Sequence, residues 1–83
     1  MSTLEVELRP HASGVEFTDV SILVELEDGR TITAPLSWFP RLANARKKER
    51  ENWELLGDGE GIHWPDIDED LSVSGILRGA RYD

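Results

Sequence analysis

The sequence predicts a small α+β domain. It would hold an antiparallel sheet of four to five strands, one longer helix on one face and a short C-terminal helix. Three observations predict it. Apolar and polar residues alternate over residues 4–9 and 20–27, the period of a half-buried strand. Over residues 38–51 apolar residues recur three and four apart, the period of a helix with one buried stripe. Gly and Pro fall between these stretches, where turns are needed. At 83 residues the chain suits one domain, residues 1–83, with a modest core.

The elements follow in order. In "LEVELR", Leu4, Val6 and Leu8 share one face and Glu5, Glu7 and Arg9 the other, which reads as a first strand. "PHASG" then breaks the chain at Pro10 and Gly14. Val20, Ile22, Val24 and Leu26 alternate with Ser21, Leu23, Glu25 and Glu27. Asp28-Gly29 follows, suited to a two-residue hairpin turn, and Thr31, Ile32 and Thr33 resume a strand. Ser37 is placed to cap a helix starting at Trp38, with Pro40 in its first turn. Trp38, Phe39, Leu42, Ala43 and Ala45 form its apolar stripe, and Arg46, Lys47, Lys48 and Arg50 the rest of the circumference. "WELLGDGEGIHW" reads as a second hairpin. Residues 54–56 and 62–64 flank a turn built on Gly57, Gly59 and Gly61, and Pro65 ends the second strand. Ser72 caps a last helix, about 72–78, with Val73, Ile76 and Leu77 inward and Gly79 as its stop.

Composition narrows function. There are no cysteines, so disulfides and thiolate chemistry are excluded. No apolar run approaches a membrane span, and the N-terminus lacks the basic head and apolar core of a signal peptide, so a cytoplasmic protein is expected. Net charge is −8, and it is uneven. Residues 1–29 carry −6, residues 30–53 carry +4 and residues 54–83 carry −6. One account is charge complementarity across the folded surface. The other is a patch that faces a partner.

The stretch "GIHWPDIDEDLS", residues 61–72, is the most suggestive piece. Asp66, Asp68 and Asp70 imitate the start of an EF-hand loop. The sixth and twelfth positions should then be Gly and Glu, and they are Leu71 and Leu77. Zinc would need both His11 and His63, which lie far apart in the sequence. Catalysis by His63 and a neighbour such as Asp66 would need a pocket and shifted pKa values. No nucleophile motif, phosphate loop or dinucleotide fingerprint occurs. No enzyme, metal or cofactor is therefore expected. Asp68, Glu69 and Asp70 have a structural reading, since acids just ahead of a capped helix complement its dipole by about 0.3–1 kcal/mol each. Trp64 and Ile67 would pin that entry to the core.

An ordered set of residues resembles the bacterial domain-of-unknown-function family 2442. The set is Asp28-Gly29-Arg30, Pro35, Trp38, Pro40-Arg41-Leu42, Gly61-Ile62-His63-Trp64-Pro65 and Asp68-Glu69-Asp70 with Leu71-Ser72, and the likeness spans about residues 15–79. It implies a small α+β domain and no set activity. Some relatives look like members of two-gene modules of the toxin–antitoxin kind, and some longer ones carry a helix-turn-helix domain. This chain ends at Asp83, so autonomous DNA reading is not expected.

The expected function is a non-enzymatic protein-interaction module, in the antitoxin-like role that the resemblance implies. Its partner would be a basic protein encoded nearby. Acidic flanks would steer encounter, and Trp53 or Trp64 would supply an aromatic anchor, with core packing favoured for Trp38. The contact residues are expected among Arg41, Arg46, Arg50, Trp53, His63, Trp64, Asp66, Asp68 and Asp70. Three alternatives stand beside it: an acidic mimic of nucleic acid, weak nucleic-acid binding through the basic helix 38–51, and a hydrolytic or metal-dependent enzyme using His63 and Asp66. An unpaired edge strand could also support a homodimer.

Overall fold

The computed structural model describes residues 10–79. The strand expected at residues 4–9 lies outside the described residues. Among those described, the order is β1 (Ala12–Phe17), β2 (Ser21–Leu26), β3 (Thr31–Pro35), a 3-10 turn (Leu36–Trp38), α1 (Pro40–Ala43), α2 (Lys47–Glu51), β4 (Glu54–Leu56), β5 (Gly61–Trp64), β6 (Glu69–Ser72) and α3 (Val73–Arg78). The class is α+β, as the alternation predicts. The sheet is not one of four or five strands. Among the described residues it is two antiparallel sheets of three, β1-β2-β3 and β4-β5-β6.

The first sheet follows the alternation closely. Ile22, Val24 and Leu26 are buried, while Ser21, Leu23 and Glu25 point the other way. Val20 precedes the strand and is exposed, against expectation. The hairpin loop has three residues, not two. Leu26 N donates to the Arg30 carbonyl at 2.8 Å and Gly29 N to the Leu26 carbonyl at 3.0 Å, and only Gly29, at φ 97°, takes the left-handed conformation. A two-residue I′ turn needs positive φ at both central positions and II′ at the first, whereas a type I turn closed by one left-handed Gly at its end is the three-residue loop. Asp28 secures it by accepting from Arg30 N at 3.0 Å and from Arg30 Nε at 2.7 Å. "PHASG" does not end the chain's extended run. Ala12 and Gly14 begin β1, with an irregular register between them that absorbs the Gly.

The long helix over 38–51 does not form. Ser37 makes no cap bond, and Pro40 opens α1 at its first position. After Ala43 the chain leaves helical geometry, and Arg46 is extended at φ −80°, ψ 160°. The reason is visible in the hydrogen bonds. A continued helix would join the Leu42 and Ala43 carbonyls to the amides of residues 46 and 47. Here those carbonyls accept from Arg50 Nε at 2.9 Å and Nη2 at 3.0 Å instead. Arg46 N donates to Glu49 Oε1 at 2.8 Å, which starts a new short helix. The apolar stripe still reaches the core through Phe39 and Leu42, both fully buried.

The buried faces of both sheets contribute to one core. Phe17 of β1 meets Trp64 of β5 edge to face, ring centroids 6.3 Å apart. Trp64 is the largest fully buried side chain, and its indole Nε1 donates to the Arg50 carbonyl at 3.0 Å. Truncating such a residue costs about 3–5 kcal/mol. The second sheet is tied to the first at Ala12 N, which donates to the Gly59 carbonyl at 2.7 Å.

The C-terminal helix is as expected. Ser72 Oγ accepts from Gly75 N at 3.1 Å, and Gly79, left-handed at φ 89°, stops it. Val73 and Ile76 are buried, but Leu77 is 49% exposed. The acids ahead of the helix are not at its first turn. Glu69 and Asp70 belong to β6, which pairs Trp64 with Glu69 and His63 with Asp70. A strand rises about 3.3 Å per residue, so these carboxylates are carried away from the helix end and their dipole role lapses. Among the described residues no helix is long and apolar enough to cross a membrane.

Candidate functional site

Strand alternation divides the second sheet into two faces. Ile62, Trp64, Glu69 and Leu71 face the core and are buried. Glu54, His63 and Asp70 are cross-strand partners in one row on the opposite face. There His63 Nδ1 and Asp70 Oδ1 are 2.5 Å apart. The Asp70 hydrogen bond raises the His63 pKa above the ordinary histidine range. Partial desolvation opposes the rise, and the negative charges of Asp70, Glu54 and Asp68 add to it.

From residue 54 to residue 77 the sequence has seven acids and no Lys or Arg. The fold buries only Glu69 of these and leaves Glu54, Asp58, Glu60, Asp66, Asp68 and Asp70 exposed. Among the described residues no salt bridge joins Arg41, Arg46, Lys47, Lys48 or Arg50 to Glu54, Asp66, Asp68 or Asp70. Lys47 pairs with Glu51 at 3.7 Å within α2. A contact from the basic segment to this acidic stretch is made instead to backbone, by Arg41 at the Asp68 carbonyl.

The residues expected at the site separate into three groups. Trp64 is inside the core and is no surface anchor. Arg41 and Arg50 hold the fold. Arg41 Nη1 donates to the Asp68 carbonyl at 2.6 Å. This fixes the turn where Asp68 sits at φ 53°, a conformation Asp tolerates better than most residues. The Arg50 guanidinium closes the end of α1 and lies 5.6 Å from the centre of the Phe17 ring. His63 and Asp70 are brought together on the second sheet's outer face. Asp66 is not with them. It accepts from Asn52 Nδ2 at 3.1 Å, and among the described residues neither a hydrogen bond nor an ion pair joins it to His63. Trp53 is half-buried and helps line an open cleft of about 530 Å³, together with Phe17, Lys47 and Arg50. Arg46 is exposed on the far side of the α1–α2 break.

Among the described residues no three His, Asp or Glu side chains converge in a way that could hold a metal ion. Asp66, Asp68 and Asp70 are split between a turn and β6, so their spacing in sequence does not become a cage.

Sequence reasoning placed a strand at Glu54, Leu55 and Leu56 but gave it no role. All three are exposed, and Leu55 and Leu56 remain 38% and 40% accessible. The signal was present. Two consecutive leucines break the alternation that hides apolar residues on one face.

The chain is similar to proteins of unknown function. The model of a family described as "Protein of unknown function (DUF2442)" matches residues 12–82. A crystal structure of a protein of unknown function from Rhodospirillum rubrum is similar at 30% identity, with TM-score 0.76 over 89% of this chain and 92% of that one. A solution structure of an uncharacterised protein from Chromobacterium violaceum shares the fold at TM-score 0.74 and 20% identity, over 88% of this chain and 69% of that one. No curated protein matches the chain.

Proposed function

Given that the chain belongs to the DUF2442 family of proteins of unknown function, we propose that it is a non-enzymatic protein-interaction module whose acidic second sheet binds a basic protein partner. The observation that carries this reading is the run of seven acids without a Lys or Arg between residues 54 and 77, six of them exposed. Such a surface raises the encounter rate with a cationic partner and disfavours anionic ones. The role suits an antitoxin-like member of a cytoplasmic pair encoded by neighbouring genes.

The basic segment is a poorer candidate surface. Among the described residues Arg30 is paired with Asp28, Arg41 and Arg50 bond backbone carbonyls and Lys47 is paired with Glu51, which leaves Arg46 and Lys48. That is few for phosphate-driven binding, whose strength scales with the number of phosphates neutralised.

The test is co-expression with the product of the adjacent gene, followed by a titration at increasing salt. A complex is expected that weakens as the screening length falls from about 10 Å at 0.1 M to about 3 Å at 1 M. Reversing Glu54, Asp66 and Asp70 to Lys should weaken it at least about tenfold, or about 1.4 kcal/mol. A complex indifferent to these reversals would refute the acidic surface. Binding to a DNA-binding protein in competition with DNA would favour nucleic-acid mimicry instead.

A further inference from the structure

Each three-stranded sheet ends in two edges, and an edge presents unpaired backbone N–H and C=O groups. Among the described residues that makes four edges, and three of them carry a visible guard. β1 has an irregular register at Ala12 and Gly14, and Ala12 N is already committed to the Gly59 carbonyl. β3 ends in Pro35, which cannot donate to a ladder. β6 runs directly into α3. β4 has none of these, and its only guards are its length of three residues and the charge of Glu54. It holds no Pro, Lys or Arg, and Glu54, Leu55 and Leu56 are all exposed.

We infer that β4 is a docking edge for an extended, cationic segment of a partner protein, which joins the second sheet as a fourth strand beyond β4. This rests on the reading of the acidic sheet as a partner surface and names the part of it that binds. The chemistry of the segment follows from the register. A residue opposite Glu54 would continue the row Glu54–His63–Asp70. Directly opposed Cβ atoms lie about 4.5–5.5 Å apart, so a Lys or Arg there meets a carboxylate. A residue opposite Leu55 would lie on the face of Ile62 and Leu71 and is required to be apolar. The segment therefore alternates basic and apolar residues. Added strands gain affinity from backbone bonds and specificity from such alternate side chains.

Charge decides between occupants. A second copy joined β4 to β4 would merge two sheets that each carry this acidic run, and like charges repel. A cationic strand removes that repulsion and covers Leu55. Because β4 has only three residues, its backbone bonds are few, so the charge row supplies much of the affinity.

The experiment uses the isotope-labelled full chain and three peptides of about eight residues, a normal strand length. One alternates Lys and Val, one Glu and Val, and one Lys and Pro, which keeps the charge but cannot join a ladder. The Lys/Val peptide is expected to shift the amide signals of residues 53–57 most and to show contacts from its backbone to β4. The Glu/Val peptide should not bind. Leu55→Lys, placed on an exposed residue so that the fold persists, should weaken the Lys/Val peptide at least about tenfold with a native spectrum. Equal binding of the Lys/Pro peptide, or shifts centred on residues 31–35 or 12–17, would overturn the docking edge and leave the acidic-surface reading standing. If neither cationic peptide binds, both fail. A dimer whose dilution shifts residues 53–57 would also overturn it, since the edge would belong to a second copy.

Discussion

Strand alternation turns His63 outward, between Glu54 on one neighbouring strand and Asp70 on the other. Its environment gives the clearest titration prediction. Hydrogen bonding to Asp70, aided by the charges of Asp70, Glu54 and Asp68, raises the folded-state pKa, with partial desolvation opposing it. A raised pKa means that folding favours the protonated form. The resulting stability is fully present below the unfolded value of about 6.5. It is lost as pH rises through the folded value. Titration of the His63 ring by NMR should therefore give a midpoint above the ordinary range. Asp70→Asn should lower that midpoint, and its stability deficit relative to the native chain should shrink as pH rises. An unchanged midpoint in Asp70→Asn would show that the pair does not form in solution. The sequence showed an acid-rich stretch near His63 but not this pairing, because cross-strand neighbours are set by register and β6 was not legible as a strand. Four acids in five positions hide the alternation of buried Glu69 and Leu71 with exposed Asp70.

At the scale of elements, the informative feature is the break between α1 and α2. The helical period over residues 38–51 is real, since Phe39 and Leu42 are buried. Periodicity does not reveal which donor each carbonyl will choose. Arg50 offers a planar fork to the Leu42 and Ala43 carbonyls while its face covers Phe17. Charged hydrogen bonds contribute more than neutral ones, and a stacked guanidinium adds about 0.5–1 kcal/mol at a partly exposed site. Arg50→Met is expected to cost about 2–3 kcal/mol in urea unfolding. Arg50→Lys should recover less than half, because an ammonium lacks the fork. Lys48→Met, on the exposed side of α2, should stay within about 0.5 kcal/mol. Equal losses at positions 48 and 50 would show that the break has another cause. The last helix was readable in full at its two ends, because a Ser cap and a Gly stop are local devices. Its exposed Leu77 was not, since a six-residue helix buries only part of its apparent stripe.

On the scale of the whole molecule, two small sheets act as one body through a shared core, and two contacts between them can be tested singly. One is Phe17 against Trp64. The other is the Ala12–Gly59 bond, where the backbones approach so closely that a Cβ on Gly59 would stand 2.5 Å from the Ala12 carbonyl oxygen. Gly59 is also at φ 99°. Gly59→Ala combines left-handed strain of about 1–2 kcal/mol with overpacking of about 1–3 kcal/mol. Gly57→Ala carries only the first, because nothing lies within 4 Å of its Cβ position. Thermal unfolding should therefore show a markedly larger loss for position 59 than for position 57. Comparable losses would mean that the two sheets do not meet there in solution.

The class of the fold, the hairpin around Asp28-Gly29, the hairpin around residues 57–60 and the capped last helix were determined by the sequence alone. Each rests on a period or a turn residue acting within a few positions. Tertiary structure decided the division into two sheets, the broken helix, the burial of Trp64 and the outward row of Glu54, His63 and Asp70. These depend on partners from 7 to 47 residues away, and no local pattern encodes which distant backbone or ring will arrive. The acidic run was plain in the sequence. Only the fold separated its one buried carboxylate from the six on the surface.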